Sequence, residues 1–185
     1  ILRVSYHEML SDLNNLKNFG VLNDQIYADC YGFTEWDVKD FFERSDRFDS
    51  QATQDKKLAT AKRYYNGYEI NGVTLYNPWS IIHFVDTGRA APYWVHTGSD
   101  ALIKRHVMKG GEAIRKKFAD LIEGQAIKEP VSEYIRFNRL GAGESGLWTV
   151  LLYAGYLKAQ TSEQNGLITD CDLVIPNREI YYLYR

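Results

Sequence analysis

A tight chain reversal at Asn71 and Gly72 is the feature that most limits how this sequence can fold. Both central residues of a two-residue hairpin turn need positive φ angles, and the pair Asn-Gly adopts them at low cost. Short runs of alternating apolar and polar side chains flank the pair on both sides. The sequence therefore predicts an antiparallel β-hairpin over residues 68–76.

A helix is predicted to begin directly after this hairpin. Asn77 has the side chain of an N-cap, and Pro78 suits the first helical position because its φ is already helical. Gly88 marks the end of the helix, since glycine readily adopts the left-handed conformation that follows a last turn. Four apolar side chains are predicted to face the core: Ile81, Ile82, Phe84 and Val85.

Helical spacing of apolar residues predicts several further helices. They are expected at 5–17, after Thr34, and at 54–64, 99–108, 112–123, 147–153 and from 177 onward. At the start of the helix after Thr34, the Thr34 side chain suits an N-cap, and Asp37 lies three residues on. The apolar stripe of this helix comprises Trp36, Val38, Phe41 and Phe42.

The remaining strands are predicted from turn chemistry and short apolar runs. A second hairpin is expected around Asn165 and Gly166, with strands near 157–159 and 173–175. A short strand is also predicted at 132–137. Helices and small hairpins without a repeated strand–helix alternation indicate an α+β fold that is predominantly α-helical.

The composition narrows the possible function classes. The 185 residues include 22 Lys or Arg and 24 Asp or Glu, so the formal net charge is −2. This balance argues against a dedicated nucleic-acid-binding protein, which usually has a large basic excess. No apolar run approaches the ~20 residues that cross a bilayer, and we expect no membrane partner. Cys30 and Cys171 are predicted to be buried thiols of a cytoplasmic protein.

No motif in the sequence carries a catalytic constellation. Gly67 and Gly72 have the spacing of a phosphate-binding loop, but Val73 stands where that loop needs a lysine. The histidines lack the spacing of zinc ligands, and two D-x-K strings lie in amphipathic helices rather than on paired strands. We therefore nominate no catalytic residue, no metal ligand and no cofactor bound by this segment.

Two basic stretches are charged candidates for an interaction. One contains Lys104 and Arg105, and the other contains Arg115, Lys116 and Lys117. They lie on successive predicted helices, where they suit either contact with phosphates or simple solvation of an exposed helix face. Acidic residues interleave with the second stretch, which favours the solvated face.

A series of short strings occurs in a characteristic order along nearly the whole chain. These strings are R-V-S at 3–5, D-L-N-N-L at 12–16, Y-G-F-T-E at 31–35, Y-Y-N-G-Y at 64–68, Y-N-P-W-S at 76–80, Y-W at 93–94, T-G-S at 97–99, L-W at 147–148, G-Y-L at 155–157 and I-P-N-R-E at 175–179. Together they resemble the bacterial AAA-ATPase-like family, whose members are often fused to a C-terminal PD-(D/E)XK-type nuclease domain.

The resemblance implies a position within a longer protein. In the family, the Walker A and Walker B motifs lie upstream of the segment that looks like residues 1–18, and the nuclease-like domain follows the segment that looks like 175–185. Residues 1–125 would then form a helical lid with one hairpin. Residues 126–185 would form a winged-helix-like tail that packs with the lid as one unit. ATP and Mg²⁺ are implied only for the upstream part of the parent protein.

The start of the chain fits the same position. It begins at Ile1 without an initiator methionine, which we expect of a piece of something longer. Arg3 is the candidate for nucleotide sensing, because an arginine close after an ATPase core can reach a terminal phosphate. A purely structural Arg3 is the alternative.

Three functions compete at this stage. The first is a non-catalytic lid that couples the upstream ATPase core to the downstream nuclease-like domain. The second is a protein-interaction module of a bacterial effector that acts in a host cytosol, with Trp79, Tyr93 and Trp94 forming an exposed patch. The third and weakest is a DNA-contacting winged helix, which the near-neutral charge disfavours.

Overall fold

A computed structural model gives the fold. The structure describes Leu22 and residues 26–45, 50–70, 72–95, 111–132, 144–166 and 168–185. The chain divides into two compact units, which we call the hairpin unit (Tyr27–Arg105 and Pro176–Arg185) and the sheet unit (Ile1–Ile26 and His106–Ile175). The helices predicted at 5–17 and 99–108 lie outside the described residues.

The described residues form mainly helices, with two small antiparallel sheets. In chain order they are a short 3-10 helix (Ala28–Tyr31), α1 (Glu35–Glu43), α2 (Gln51–Tyr65), β1 (Tyr68–Ile70), β2 (Val73–Leu75), α3 (Pro78–Thr87), α4 (Glu112–Ile122), β3 (Ile127–Val131), α5 (Glu144–Tyr153), β4 (Lys158–Asn165), β5 (Ile168–Val174) and α6 (Arg178–Tyr184). The predicted α+β class with predominant helix is confirmed. None of the described helices is long and apolar enough to span a membrane.

The two units divide the chain differently from the predicted lid and tail at 1–125 and 126–185. Helix α4 belongs to the sheet unit, although it precedes residue 126. Helix α6 belongs to the hairpin unit, although it closes the predicted tail. The C-terminal segment therefore returns to elements that lie about a hundred residues earlier in the chain.

The hairpin predicted over 68–76 is confirmed. β1 and β2 pair antiparallel, with Tyr68 opposite Leu75. Gly72 has a φ of +82°, a conformation that costs glycine little. Asn71 lies outside the described residues. A backbone bridge between Phe33 and Tyr76 joins the segment before α1 to the end of the hairpin.

The predicted cap of α1 is also confirmed. The carboxylate of Asp37 accepts a hydrogen bond from the backbone N–H of Thr34 at 2.7 Å. The Thr34 hydroxyl oxygen accepts one from the backbone N–H of Asp37 at 3.3 Å. Two backbone donors that the helix leaves unpaired are thereby satisfied by local side chains.

Thr34→Ala is expected to lower the free energy of unfolding by about 1 kcal/mol, because alanine cannot accept the bond from Asp37. Equilibrium urea unfolding at fixed pH measures the loss. Thr60→Ala is the matched control: its hydroxyl donates to the carbonyl of Lys56 within α2, which already accepts in the helix. A loss at position 60 as large as the loss at position 34 would contradict the cap assignment.

The core of the hairpin unit is rich in aromatic side chains. Its buried members are Val38, Phe42, Ala61, Tyr65, Tyr76, Ile81 and Phe84. Phe84 is central, since its ring lies 6.0 Å from Phe42 and 5.6 Å from Tyr65. Two predicted core residues are corrected: Ile82 is 54% exposed and Trp36 is 71% exposed.

The sheet unit contains a three-stranded antiparallel sheet with β5 between β3 and β4. The second hairpin is confirmed, and its strands are longer than predicted. A strand that was not predicted lies at Ile127–Val131. Of the strand predicted at 132–137, Ser132 is not in a strand, and residues 133–137 lie outside the described part of the chain. Pro130 lies in this strand at the edge of the sheet, where a missing backbone donor is tolerated.

Helices α4 and α5 pack against this sheet around Trp148. The fully buried indole of Trp148 lies 5.2 Å from the ring of Phe118, centroid to centroid. Cys171 is buried in β5 as predicted, whereas Cys30 is exposed, which corrects that prediction. The sheet unit thus has its own apolar core, which includes Phe118, Leu121, Ile127, Val131, Leu147, Trp148, Leu151, Ala154, Tyr156, Leu157, Cys171 and Leu173.

Candidate protein-contact site

Helix α3 has one face in the core and one face that is exposed. Ser80, Ile81 and Phe84 are fully buried. Residues 79, 82, 83 and 86 recur at helical spacing on the opposite side, so they share one face. Two of them are large and apolar, since Trp79 is 51% and Ile82 is 54% exposed.

An aromatic row continues this exposed face beyond the helix. The imidazole of His83 lies edge-on to Trp79, with 4.4 Å between ring centroids. The other side of His83 stacks on Tyr93 at 5.3 Å. The Tyr93 hydroxyl donates to the backbone carbonyl of Arg89 at 2.7 Å, which holds the ring in place. We call Trp79, Ile82, His83 and Tyr93 the aromatic surface.

A buried carboxylate fixes the opposite side of α3. Glu179, on α6, is fully buried, and the Ser80 hydroxyl lies 2.7 and 2.9 Å from its two carboxylate oxygens. The backbone N–H of Trp94 donates to the same carboxylate at 2.7 Å. One acidic side chain therefore ties together α3, α6 and the segment that follows Tyr93.

Burial dominates the electrostatics of Glu179. Desolvation raises the pKa of its carboxyl group above the ordinary value, although the hydrogen bonds from Trp94 and Ser80 act in the opposite direction. In its protonated form the group can donate to the Ser80 oxygen while it still accepts from the Trp94 amide. The contact is therefore compatible with a neutral side chain.

The side chain of Tyr65 holds the backbone of the segment that precedes Tyr93. Its phenol oxygen lies 3.0 Å from both the carbonyl oxygen and the amide nitrogen of Ala91, as donor to the first and acceptor from the second. Burial raises the pKa of Tyr65 well above its usual range, so the phenol stays neutral. This bond and the Glu179 contact fix both ends of the segment that presents Tyr93.

A close backbone approach positions α6 for the Glu179 contact. Gly67 has a φ of +100°, and a Cβ atom at this position would lie only 2.3 Å from the carbonyl oxygen of Pro176. Only glycine allows the chain between α2 and β1 to come this near to the residues that precede α6. Asn177 then caps α6, since its side-chain oxygen accepts from the N–H of Ile180 at 3.1 Å.

Three residues nominated from the sequence meet at this site. Trp79 and Tyr93 belong to the aromatic surface, on either side of His83. Trp94 is half-buried, and its backbone, rather than its indole, makes the bond to Glu179. Of the three residues predicted to form an exposed patch, Trp79 is exposed, whereas Tyr93 and Trp94 are half-buried.

The nominated basic residues that the structure describes belong to the sheet unit. Arg115 and Lys116 are exposed on α4, in the sheet unit. Lys117 differs from the prediction of an exposed residue, because its ammonium lies 2.5 Å from the carboxylate of Glu129 and 5.8 Å from the ring of Trp148. Arg3, Lys104 and Arg105 lie outside the described residues.

Sequence reasoning missed Ser80, His83 and Glu179. Glu179 follows the Asn177 cap, where an acidic residue is ordinary first-turn chemistry of a helix and signals no special contact. Ser80 and Glu179 are 99 residues apart in the chain, so no local pattern could pair them. His83 offered one signal, since it lies four residues after Trp79 on the same helix face.

The chain is similar to a protein of Azotobacter chroococcum mcd 1 named "Uncharacterized protein in vnfD 5'region". The two are 24% identical over 184 residues, which cover 97% of this chain and 31% of that protein. The chain thus spans about a third of the length of this relative. No family model and no solved structure matches the chain.

Proposed function

We propose that this chain is a non-catalytic coupling segment of a larger ATPase-like protein, and that its aromatic surface contacts the other domains of that protein. The observation that carries the proposal is the exposed apolar face of α3. Trp79 and Ile82 are more than half exposed, although a helix of this kind normally buries such residues. Contiguous exposed apolar clusters lie at protein contacts more often than other parts of a protein surface do.

The make-up of the aromatic surface suits a protein partner. Tryptophan and tyrosine dominate binding energy at protein interfaces, because they bury a large area with few rotatable bonds. Tyr93 is held by Arg89, and His83 lies between two rings, so little side-chain freedom is lost on binding. A rigid aromatic surface of this kind favours a specific contact.

Two further observations support the proposal that this chain is a segment of a larger protein. The ordered strings of the sequence resemble the AAA-ATPase-like family in the part that follows the nucleotide-binding core. The relative from Azotobacter is about three times as long as the aligned region, since that region is 31% of it. The partners we propose are therefore the ATPase core upstream and the nuclease-like domain downstream in the same chain, in the cytoplasm. ATP and Mg²⁺ would bind in the upstream part.

The sequence of the reading frame on both sides of this segment tests the proposal. A G-x-x-x-x-G-K-[ST] loop upstream and strand-borne carboxylates with a lysine downstream are the expected result. A start codon or an unrelated domain directly upstream would contradict it. That outcome would favour the second candidate, an interaction module of an effector, which uses the same aromatic surface for a foreign protein.

Trp79→Ala in the full-length protein is expected to lower ATP turnover about thirtyfold or more, because an interface tryptophan commonly contributes ~2 kcal/mol or more. Trp36→Ala is the matched control, since Trp36 is exposed but lies outside the aromatic surface. We expect turnover within about twofold of the natural protein for this control. Equal effects of the two substitutions would argue against the aromatic surface as the contact.

The element order of the sheet unit is compatible with a winged helix, with the β4–β5 hairpin as the wing. Its charges do not suit DNA, however. The hairpin carries Glu163, Asp170 and Asp172, whereas its basic side chain is Lys158. The sequence of α5 is E-S-G-L-W-T-V-L-L-Y, without lysine or arginine, and its described side chains are mainly buried. Phosphates would meet net negative charge on this hairpin.

We therefore expect no duplex DNA binding at physiological salt below about 10⁻⁴ M protein, the weak end of ordinary non-specific binding. Fluorescence anisotropy of a labelled duplex, titrated with the protein at two salt concentrations, measures it. Binding in the micromolar range with a steep loss as salt rises would revive the DNA-contacting alternative.

A further inference from the structure

Helix α6 presents a second face that the proposed coupling function does not use. Glu179 and Ile180 are fully buried and direct one side of the helix into the hairpin unit. Arg178, Tyr182 and Arg185 recur at helical spacing on the other side. Tyr182 is 39% exposed and Arg185 is also exposed.

The guanidinium group of Arg178 lies against two neighbouring tyrosine rings, whose centroids are 6.4 Å apart. It lies 5.4 Å from the ring centroid of Tyr64, on α2, and 5.6 Å from that of Tyr182. Its Nε–H also donates to the Tyr182 hydroxyl at 3.0 Å. These contacts fix the orientation of a long side chain, which would otherwise lose rotamer freedom on binding.

Arg185, about two helical turns after Arg178, also lies against a tyrosine ring. Its guanidinium lies 5.7 Å from the ring centroid of Tyr181. Several other cations in the described part of the chain pair with carboxylates: Lys39 and Lys62 with Glu35, Arg44 with Asp40, and Lys117 with Glu129. Within the same described ranges, Arg178 and Arg185 instead pack on rings. Their planar N–H groups thus remain suited to an external acid.

We propose that Arg178, Arg185 and the three adjoining tyrosines form a docking face for an acidic peptide segment of a protein partner. Guanidinium groups bind carboxylates through paired hydrogen bonds, and the tyrosine rings add contact area. The charge favours a peptide over a nucleic acid. Two arginines on one short helix match a pair of carboxylates, whereas nucleic-acid grooves align many cations along the phosphates.

The proposal is independent of the coupling function, because it uses α6 rather than the aromatic surface of α3. Fluorescence anisotropy with a labelled deca-glutamate peptide tests it on the full chain. The double variant Arg178→Gln/Arg185→Gln is expected to bind about tenfold more weakly, since each arginine makes a charge-assisted bond. Arg115→Gln/Lys116→Gln removes two exposed cations from the other unit and should bind within about twofold of the natural chain.

A decathymidylate of similar charge serves as the second probe. Tighter binding of this oligonucleotide than of the peptide would overturn the proposal in favour of single-stranded nucleic acid. An equal loss in the two double variants would overturn it as a bulk charge effect, and so would absence of peptide binding. If the double variant fails to fold, Arg185→Gln alone decides, because Arg185 follows the last helical residue and is exposed. This variant should lose about threefold in affinity.

Discussion

Gly67→Ala is expected to destabilise the hairpin unit by about 3 kcal/mol or more, enough to unfold a marginal domain. The added Cβ would lie 2.3 Å from the carbonyl oxygen of Pro176, a backbone atom that no side-chain rotation can move aside. The φ of +100° adds strain for any residue with a Cβ. Equilibrium urea unfolding, followed by tryptophan fluorescence and circular dichroism, measures the loss.

Gly72→Ala is the matched control for this prediction. Gly72 also has a positive φ, +82°, but a Cβ there has nothing within 4 Å. It should therefore show only the conformational cost of about 1 kcal/mol. Equal losses at Gly67 and Gly72 would mean that the approach of Pro176 is not as close as the structure has it.

Glu179→Ala is expected to lower the free energy of unfolding by about 2–4 kcal/mol, because it leaves the Ser80 hydroxyl and the Trp94 amide without their buried acceptor. Glu179→Gln is the matched control. Its amide oxygen can accept from Trp94 and its NH₂ group can donate to the Ser80 oxygen. We expect the glutamine variant to be at least as stable as the natural chain at neutral pH.

The pH dependence of Glu179 follows from the direction of its pKa shift. The folded pKa is raised above 4.5, so the folded state binds the proton more tightly than the unfolded state does. Stability from this group is therefore lost as pH rises from about 4.5 through the folded pKa. The advantage of Glu179→Gln over the natural chain should grow across this window and then level off. An advantage that does not change with pH would contradict a raised pKa.

The elements that sequence reasoning found are those with local chemistry. The Asn71–Gly72 turn, the Thr34 cap and the Asn77 cap each depend on residues no more than a few positions apart. Such signals act before any distant contact forms, which is why they can be read along a single chain. The confirmed hairpins and helix starts belong to this class.

The features that sequence reasoning missed depend on contacts between residues distant in the chain, or on the position of a strand in its sheet. β3 was missed because Glu129 faces inward and Pro130 lacks a donor, and both residues disfavour a strand. Lys117 neutralises Glu129, and the edge position accommodates Pro130. Helical spacing places Ile82 on α3, but only the surrounding fold decides whether its face is covered.

Footprinting with hydroxyl radicals in the full-length parent protein tests the central claim most directly. Trp79 and Trp36 are both exposed in this chain, 51% and 71%, so each provides a reactive indole within one molecule. If the aromatic surface contacts another part of the protein, oxidation of Trp79 should fall at least about fivefold below that of Trp36, because interface tryptophans are largely desolvated. Oxidation of the two residues in proportion to their exposure in this chain would contradict the account.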